Sequence, residues 1–325
     1  MLSVIIANWN GADMLPRCLA SLAAQTFHDF EVIVVDNGST DDSAADLSAR
    51  FPTLNLRVER LASNRGFAAA NNIAAQLARG EWLALLNQDA FPQPDWLARL
   101  IEATQRHPGP TFFASRLVQA NDTARLDGAG DVYHVSGLAW RRHHGDTVNI
   151  ALQEEEVFSA CAAAALYPRD PFLRVGGFDE DFFSYHEDVD LGFRLRLQGY
   201  QCWYIPDAIV LHVGASSNNP KNDFVIFHGH RNMVWTYFKN MPTSLFWLYL
   251  PAHLLATLLS IAYYSQRGQA GAIWRAKLDA LHGLSDALRK RKQIQVTRQV
   301  RTSDLRRMMN HGLIEYYRGS LQRRT

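Results

Sequence analysis

The chain has 325 residues, 47% hydrophobic and 20% charged, with 33 basic against 32 acidic side chains. That length and apolar content suit one large core or two modest ones and exclude a disordered or disulfide-stapled peptide, while a net charge of +1 excludes a uniformly basic nucleic-acid coat. The balance is uneven: from Arg267 onward 14 Lys and Arg face four acids (Asp279, Asp286, Asp304 and Glu315), so a front of about −9 precedes a tail of about +10.

Met1 to Ala7 is apolar, too short for a signal peptide and without a basic n-region, and reads as a first strand. Strands are expected at Leu2–Ala7, Glu31–Val35, Leu54–Arg60, Trp82–Leu86 and Thr111–Val118. Met14–Ala24, Asp42–Arg50, Phe67–Ala78 and Pro94–Arg106 carry apolar residues at helical spacing. Strands alternating with helices of this length predict an α/β fold, a mostly parallel sheet with helices on both faces. The wholly apolar Val32–Val35 fits a strand covered on both sides. Cys18, Cys161 and Cys202 are odd in number, far apart and without a CxxC pair. Neither a zinc site nor a disulfide framework is expected, and a reducing, cytosolic compartment is.

Ligands of such sheets sit beyond the carboxyl ends of the strands. The first strand here runs into Asn8-Trp9-Asn10-Gly11 and the second into Asp36-Asn37-Gly38-Ser39-Thr40-Asp41-Asp42. The third is followed by Asn64-Arg65-Gly66 and the fourth by Asn87-Gln88-Asp89. Turn chemistry alone favours Asn, Asp and Gly, and Asp36–Asp42 also reads as a tight turn with Thr40 or Asp41 capping a helix. Four consecutive strand ends loaded in this way nevertheless make a polar rim.

Beyond Gln119 the periodicity fades as far as Asn149, which suggests a surface excursion or a β-rich insertion. Val157–Leu166 is an apolar run, and Ser184 to Leu191 opens a helix that ends at Gly199. Gln201–Ile205 and Ala208–Val213 read as two further strands, and Gly214–Asn222 has the composition of a mobile loop.

These residues carry a resemblance. SVIIANWNG (3–11), FEVIVVDNGSTDDS (30–43), NRGFAAANN (64–72), LLNQDAFP (85–92), GGFDEDFFSYHEDVDLGFRLRLQGY (176–200), LHVGASS (211–217) and HRN (230–232) stand in the order found in the GT-A-fold glycosyltransferases of family 2. Within them the chain resembles the rhamnosyltransferase-like branch, over about Leu2–Asn240. The resemblance implies a GT-A catalytic domain over residues 1–240, with a nucleotide-binding half to about 119 and an acceptor half beyond it. It implies transfer of a sugar from a dTDP-, UDP- or GDP-linked donor to a glycan or lipid-linked acceptor. Trp9 would stack on the base, which Asp36 and Asn37 would bind. Asn8, Asn64, Arg65, Gly66, Asn87 and Gln88 would border the nucleotide-sugar.

Asp89 stands at the last position of the family's Asp-x-Asp motif, with Asn87 at the first. A hard carboxylate there suits Mg²⁺ or Mn²⁺ bridging substrate phosphates, and relatives supply a further ligand where His212 stands. A lone His is also often satisfied locally. Ser184-x-x-Glu187 is a capping-box pattern that explains Glu187 structurally. Asp188 has no such explanation, and the resemblance makes it the catalytic base, while Asp190 is taken as structural. A single base opposite the leaving group implies direct displacement with inversion. The small residues of Cys161–Leu166 would border the acceptor, or form a plain packed strand.

Leu245–Ala262 is 18 residues with no charge except a titratable His253, at the lower margin for a membrane span. Pro251 and His253 argue against a simple span. The basic stretch beyond it (Arg289-Lys290-Arg291-Lys292, Arg298, Arg301, Arg306 and Arg307) suits anionic head groups. Residues 241–325 are therefore expected to attach the protein to the cytosolic face of the cell membrane. A core helix, a dimer interface and a nucleic-acid stripe are the competing readings, the last without any motif to support it. Two other functions stay open: a sugar nucleotidyltransferase, which would need a Gly-rich, basic phosphate loop that ANWNG is not, and a non-catalytic nucleotide-sugar-binding scaffold.

Overall fold

The computed structural model describes residues 1–214 and 223–312. The loop expected at Gly214–Asn222 therefore lies, apart from Gly214, outside the described residues. The front of the chain runs β1 (Leu2–Asn8), α1 (Leu15–Ala23), β2 (Phe30–Asp36), α2 (Leu47–Arg50), β3 (Leu56–Arg60), α3 (Gly66–Leu77), β4 (Trp82–Leu86), β5 (Ala90–Pro92), α4 (Trp96–Arg106) and β6 (Thr111–Gln119). The expected excursion is β-rich: β7 (Leu126–Ala129), β8 (Asp131–Tyr133) and β9 (Ala139–Arg141). Then follow β10 (Glu155–Val157), β11 (Ala164–Pro168), α5 (Arg169–Arg174), a 3-10 turn at Glu180–Phe182, α6 (Glu187–Leu197) and β12 (Gln201–His212). Among the remaining described residues stand α7 (Asp223–Asn240), α8 (Thr243–Gln266), α9 (Ala270–His282), α10 (Leu284–Val296) and α11 (Thr302–Met308).

One sheet carries the site, in the order β10-β12-β6-β11-β4-β1-β2-β3. The strands from β4 to β3 are parallel, as the alternating pattern implies. The strand β11 reverses the direction between β4 and β6. Successive side chains of a strand point to opposite faces. Leu2, Val4 and Ile6 accordingly join Val32, Val34 and the apolar sides of α1 and α4, while Ile5, Ile33 and Val35 join α3, α5 and α6. The Ala-rich α3 lies close to its face because Ala68, Ala70, Ala74 and Ala75 are small and buried. Cys18, Cys161 and Cys202 are free and buried, which agrees with the absence of a disulfide framework.

Three expected elements differ. The helix expected at Asp42–Arg50 shrinks to α2, because Asp41 accepts the amides of Ser43 (3.1 Å) and Ala12 (3.0 Å), a local turn that competes with helix. The apolar run Val157–Leu166 divides between β10 and β11. The two strands expected at Gln201–Ile205 and Ala208–Val213 are one, β12, with a bulge between Ile205 and Ile209 that absorbs Pro206, which lacks an N–H to donate.

Asp190 is structural, as expected. It is fully buried on α6, accepts from Arg194 (2.8 Å) and Asn240 (2.7 Å), and faces Lys239 (2.7 Å). Burial alone would raise its carboxyl, but the charges of Arg194 and Lys239 hold it below the ordinary range. Removing one partner of such a group strands the others, so Asp190→Ala should lose about 3–5 kcal/mol in urea unfolding. A loss under about 1 kcal/mol, the worth of an exposed pair, would contradict this reading.

Candidate active site

The rim is built as the chain leaves β1, β2 and β4. Asn8 is fully buried, and its Nδ2 donates to Asp36 Oδ1 (3.2 Å), Ser39 Oγ (3.3 Å) and Ser43 Oγ (2.8 Å). Its amide therefore braces Asp36, while Asn8 Oδ1 is buried without a partner. Trp9 is 52% exposed, unusual for so large an apolar ring, and its backbone is held at both ends. Gln88 Oε1 accepts the Trp9 amide (2.7 Å) and Gln88 Nε2 donates to the Trp9 carbonyl (3.1 Å). Gln88 thus aims the ring.

Asn37 spends its amide on the loop after β3. Its Nδ2 donates to Asn64 Oδ1 (3.0 Å) and the Gly66 carbonyl (3.1 Å), and its Oδ1 accepts from the Arg65 amide (2.8 Å). Asp36 is left as the rim's carboxylate beside Trp9. Gly66 has φ +87°, and a Cβ there would lie 2.7 Å from both the ring and the carbonyl of Phe183, so only glycine fits. The Arg65 guanidinium, half exposed, pairs with Glu180 at 3.5 Å.

Beyond β4, Asp89 Oδ1 lies 3.4 Å from His212 Nε2, and Asn87 Nδ2 lies 3.5 Å from the same nitrogen. Asn87 Oδ1 is buried without a partner. The other ring nitrogen, His212 Nδ1, is 2.7 Å from Asp127 Oδ2. This carboxylate–histidine arrangement turns Nε2 toward Asp89 and is the usual support for a metal-ligating imidazole. Burial opposes charging of the His212 ring, but Asp127 and Asp89 together raise its pKa. Burial likewise opposes ionisation of Asp89, and His212 outweighs it and lowers the pKa. Among the described residues no three His, Cys, Asp or Glu side chains converge on one cation position. A divalent ion would take Asp89 and His212 and fill its remaining positions with phosphate oxygens and water, the habit of Mg²⁺. The orphaned Asn87 oxygen and the braced imidazole fit such an ion.

Asp188 lies in the first turn of α6, half buried, with Oδ2 accepting the Ala162 amide (3.2 Å). The neighbouring Ala163 carbonyl accepts the Asn87 amide (2.9 Å). A backbone bond and a backbone amide donated to its carboxylate therefore tie Asp188 to the Asn87–Asp89 loop, and Ala162 is where the small-residue run meets the site. The capping box is absent. The left-handed His186 stands at the N-cap with no side-chain capping bond, so Ser184 does not cap. Glu187 is buried with Oε2 unpartnered, and burial together with the Asp188 charge raises its pKa well above the ordinary range.

The turn before Asp188 is strained. Phe183, Tyr185 and His186 all have positive φ (63°, 69° and 66°), a conformation costing about 1–2 kcal/mol per non-glycine residue. The Ser184 amide donates to the Phe182 carbonyl at 2.7 Å around Phe183, whose ψ is −60°, closing a rare γ-turn.

Sequence reasoning missed three residues of the excursion. Arg141 pairs with Asp127, and its charge also acts on Asp131 and Asp188. Burial, then the Asp188 charge, push the pKa of the Asp131 carboxyl well up, and Ser159 donates to it at 3.2 Å. The signal available was four acids, Asp122, Asp127, Asp131 and Asp146, in a stretch otherwise rich in Gly, His and Arg.

Residues 3–176 match the sequence model of a family described as Glycosyl transferase family 2. This chain belongs to that family. Over 240 residues this glycosyltransferase is 31% identical to the N-acetylglucosaminyl-diphospho-decaprenol L-rhamnosyltransferase of Mycobacterium tuberculosis, covering 67% of this chain and 77% of that protein. Its fold is GT-A. GalNAc-T7, solved with UDP, GalNAc and Mn²⁺, superposes with TM-score 0.60 at 17% identity over 74% of this chain and 48% of that one, about half its length. A mannosyltransferase of Pyrobaculum calidifontis, solved with GDP-Man and Mn²⁺, does so with TM-score 0.56 at 17% identity over 99% and 86%.

If Asp127 orients His212, Asp127→Asn should weaken Mn²⁺ binding about 10–100-fold in a titration of the glycosyltransferase with nucleoside diphosphate present. Unchanged affinity would remove Asp127 from the cation site.

Proposed function

We propose that this glycosyltransferase moves a sugar, rhamnose by its likeness to the mycobacterial enzyme, from a nucleoside diphosphate to a hydroxyl of a glycan or lipid-linked acceptor, with inversion. The observation that carries the reading is the pair of bonds linking Asp188, Ala162–Ala163 and Asn87, which sets one carboxylate beside the cation-competent loop. In this reading Trp9 stacks on the donor base and Asp36 accepts its imide or amine N–H, on the loop that Asn8, Asn37, Asn64 and Gly66 keep in shape. Asp89 and His212 hold Mg²⁺ or Mn²⁺, as the Mn²⁺ in two structural neighbours suggests, and the ion would neutralise charge on the departing diphosphate. The acceptor oxygen bonds to the anomeric carbon as the bond to the diphosphate breaks. The hydroxyl proton passes to Asp188, and the nucleoside diphosphate leaves. Asp188, half open in the first turn of α6, meets the need for a base.

Donor screening with dTDP-, UDP- and GDP-sugars and Mn²⁺ tests this directly. Asp188→Asn should cut turnover at least about 10²-fold with donor affinity kept. Near-normal turnover would refute the base.

We further propose that the enzyme, with residues 1–240 as its catalytic unit, sits peripherally on the cytosolic face of the cell membrane through residues 241–325. The helix α8 is long and apolar enough to cross a bilayer. His253 at its middle is nevertheless buried, 2.8 Å from the Ser136 carbonyl and stacked 4.1 Å from Tyr237, so one side of α8 lies on the catalytic unit. The other side exposes Trp247, Leu254, Leu255, Leu258 and Leu259, joined by Trp274 and Leu278 of α9. That geometry favours lying in the interface over spanning. The basic stretch is less available than its sequence implies: Lys290 is bound to Asp179 and Asp181, and Arg291 to the Phe238 carbonyl. Co-flotation with phosphatidylglycerol vesicles at low salt is expected, and it should weaken in Leu255→Glu/Leu258→Glu. Recovery wholly in the soluble fraction would end the membrane reading.

A further inference from the structure

His230-Arg231-Asn232, on α7, takes no part in the chemistry above, yet two of these side chains converge on the strained turn before Asp188. Asn232 is fully buried. Its Nδ2 lies 3.0 Å from the Phe182 carbonyl, 2.9 Å from that of Ser184 and 2.7 Å from that of Tyr185. An amide has two hydrogens, so three acceptors at these distances mean that at least one bond is shared. Its Oδ1 accepts from Arg231 Nε at 2.9 Å. Arg231 Nη2 donates to the carbonyls of Asp181 and Phe182, each at 3.0 Å, and Nη1 to Asp279 on α9 at 3.1 Å. The guanidinium is fixed over Trp235, 4.3 Å from the ring centroid.

The carbonyls of residues 181, 182, 184 and 185 are thus all taken up by two adjacent side chains. They point to one place because the left-handed residues turn them inward, and in a buried turn they need donors. The same turn bridges the two halves of the site. At its start the Phe183 carbonyl accepts the Ala68 amide (3.3 Å) while the Phe183 ring covers Gly66, and at its end the His186 carbonyl accepts the Asp190 amide (2.9 Å) in the first turn of α6.

We propose that Asn232, backed by Arg231, is a positioning residue for the transfer step: it holds Phe183–His186 in the left-handed shape that delivers Asp188 to the rim. This rests on Asp188 being the base. A strained backbone persists only where its surroundings over-determine it, and Asn232 supplies that constraint from α7, a helix that carries neither the base nor a proposed cation ligand. With the clamp removed, the turn relaxes toward right-handed conformations and Asp188 shifts, while Trp9 and Asp36, held by Gln88 and Asn8, stay in place.

The test is a double-mutant cycle on the full chain. Asn232→Ala should lower kcat about 10²-fold, the cost of a displacement of order 1 Å, with donor Kd by calorimetry within about threefold of the parent. In an Asp188→Asn background the same substitution should lower the residual rate less than about twofold, because Asn232 acts through Asp188. Loss of kcat by the same factor in both backgrounds, loss of donor affinity in step with kcat, or a kcat within about threefold of the parent would each overturn the proposal. Parental turnover by Asp188→Asn alone would refute the base assignment instead, a distinct result. Should Asn232→Ala fail to fold, Arg231→Lys keeps a cation facing Asp279 while losing the fork to the Asp181 and Phe182 carbonyls. It is read by the same cycle, with a smaller loss of about 10-fold expected.

Discussion

The site depends on one reversal of strand direction. In a wholly parallel sheet the carboxyl end of β4 would adjoin other carboxyl ends, all of them running outward into loops. Because β11 enters antiparallel between β4 and β6, its beginning lies beside the end of β4 instead, and Ala163 can accept the Asn87 amide. The preceding residue, Ala162, then offers its own amide to Asp188. The second half of the chain is thereby brought to the rim made by the first half. The carboxylate we propose as base and the loop that carries Asp89, a proposed cation ligand, are thus tied to the same two residues just before β11.

Around that border the protein accepts local cost for position. Three non-glycine residues are left-handed, Glu187 is buried with an unpartnered oxygen, and Arg141 sits among three carboxyl groups. Each would be unfavourable alone; the Arg231–Asn232 donors make the turn tolerable and Asp127 does so for Arg141, while Glu187 keeps an unpartnered Oε2. Departures from local preference gathered at one edge of a regular sheet are what a working site produces. The same logic separates Asp190 from Asp188. Both lie in the acidic first turn of α6, but Asp190 is enclosed by Arg194, Lys239 and Asn240, whereas Asp188 holds only backbone amides and remains half open.

Much of this was legible in the sequence, for identifiable reasons. The strands Leu2–Asn8 and Trp82–Leu86 are apolar runs whose two-faced burial fixes their type, and Asn and Asp at their ends mark the rim. Local patterns failed where tertiary structure overrode them. Ser184-x-x-Glu187 has the residues of a capping box, but the positive φ of Tyr185 and His186 leaves no trace in residue type. Asp127, Asp131 and Arg141 lie in short strands without periodicity, and their meaning comes only from pairing with His212 and Asp188. Asn8, Asn37 and Gln88 were found as rim residues, although their hydrogen bonds show them bracing Asp36, the Asn64–Gly66 loop and Trp9.

The central claim is that the crevice along this edge takes a nucleoside diphosphate and a divalent ion opposite Asp188. Anomalous diffraction from crystals grown with Mn²⁺ and a non-hydrolysable nucleoside diphosphate sugar measures it most directly. The account predicts a manganese peak within bonding distance of Asp89 and His212, the base against Trp9, and the Asp188 carboxylate across the anomeric carbon from the diphosphate. Manganese elsewhere, or a sugar whose anomeric carbon lies away from Asp188, would contradict it.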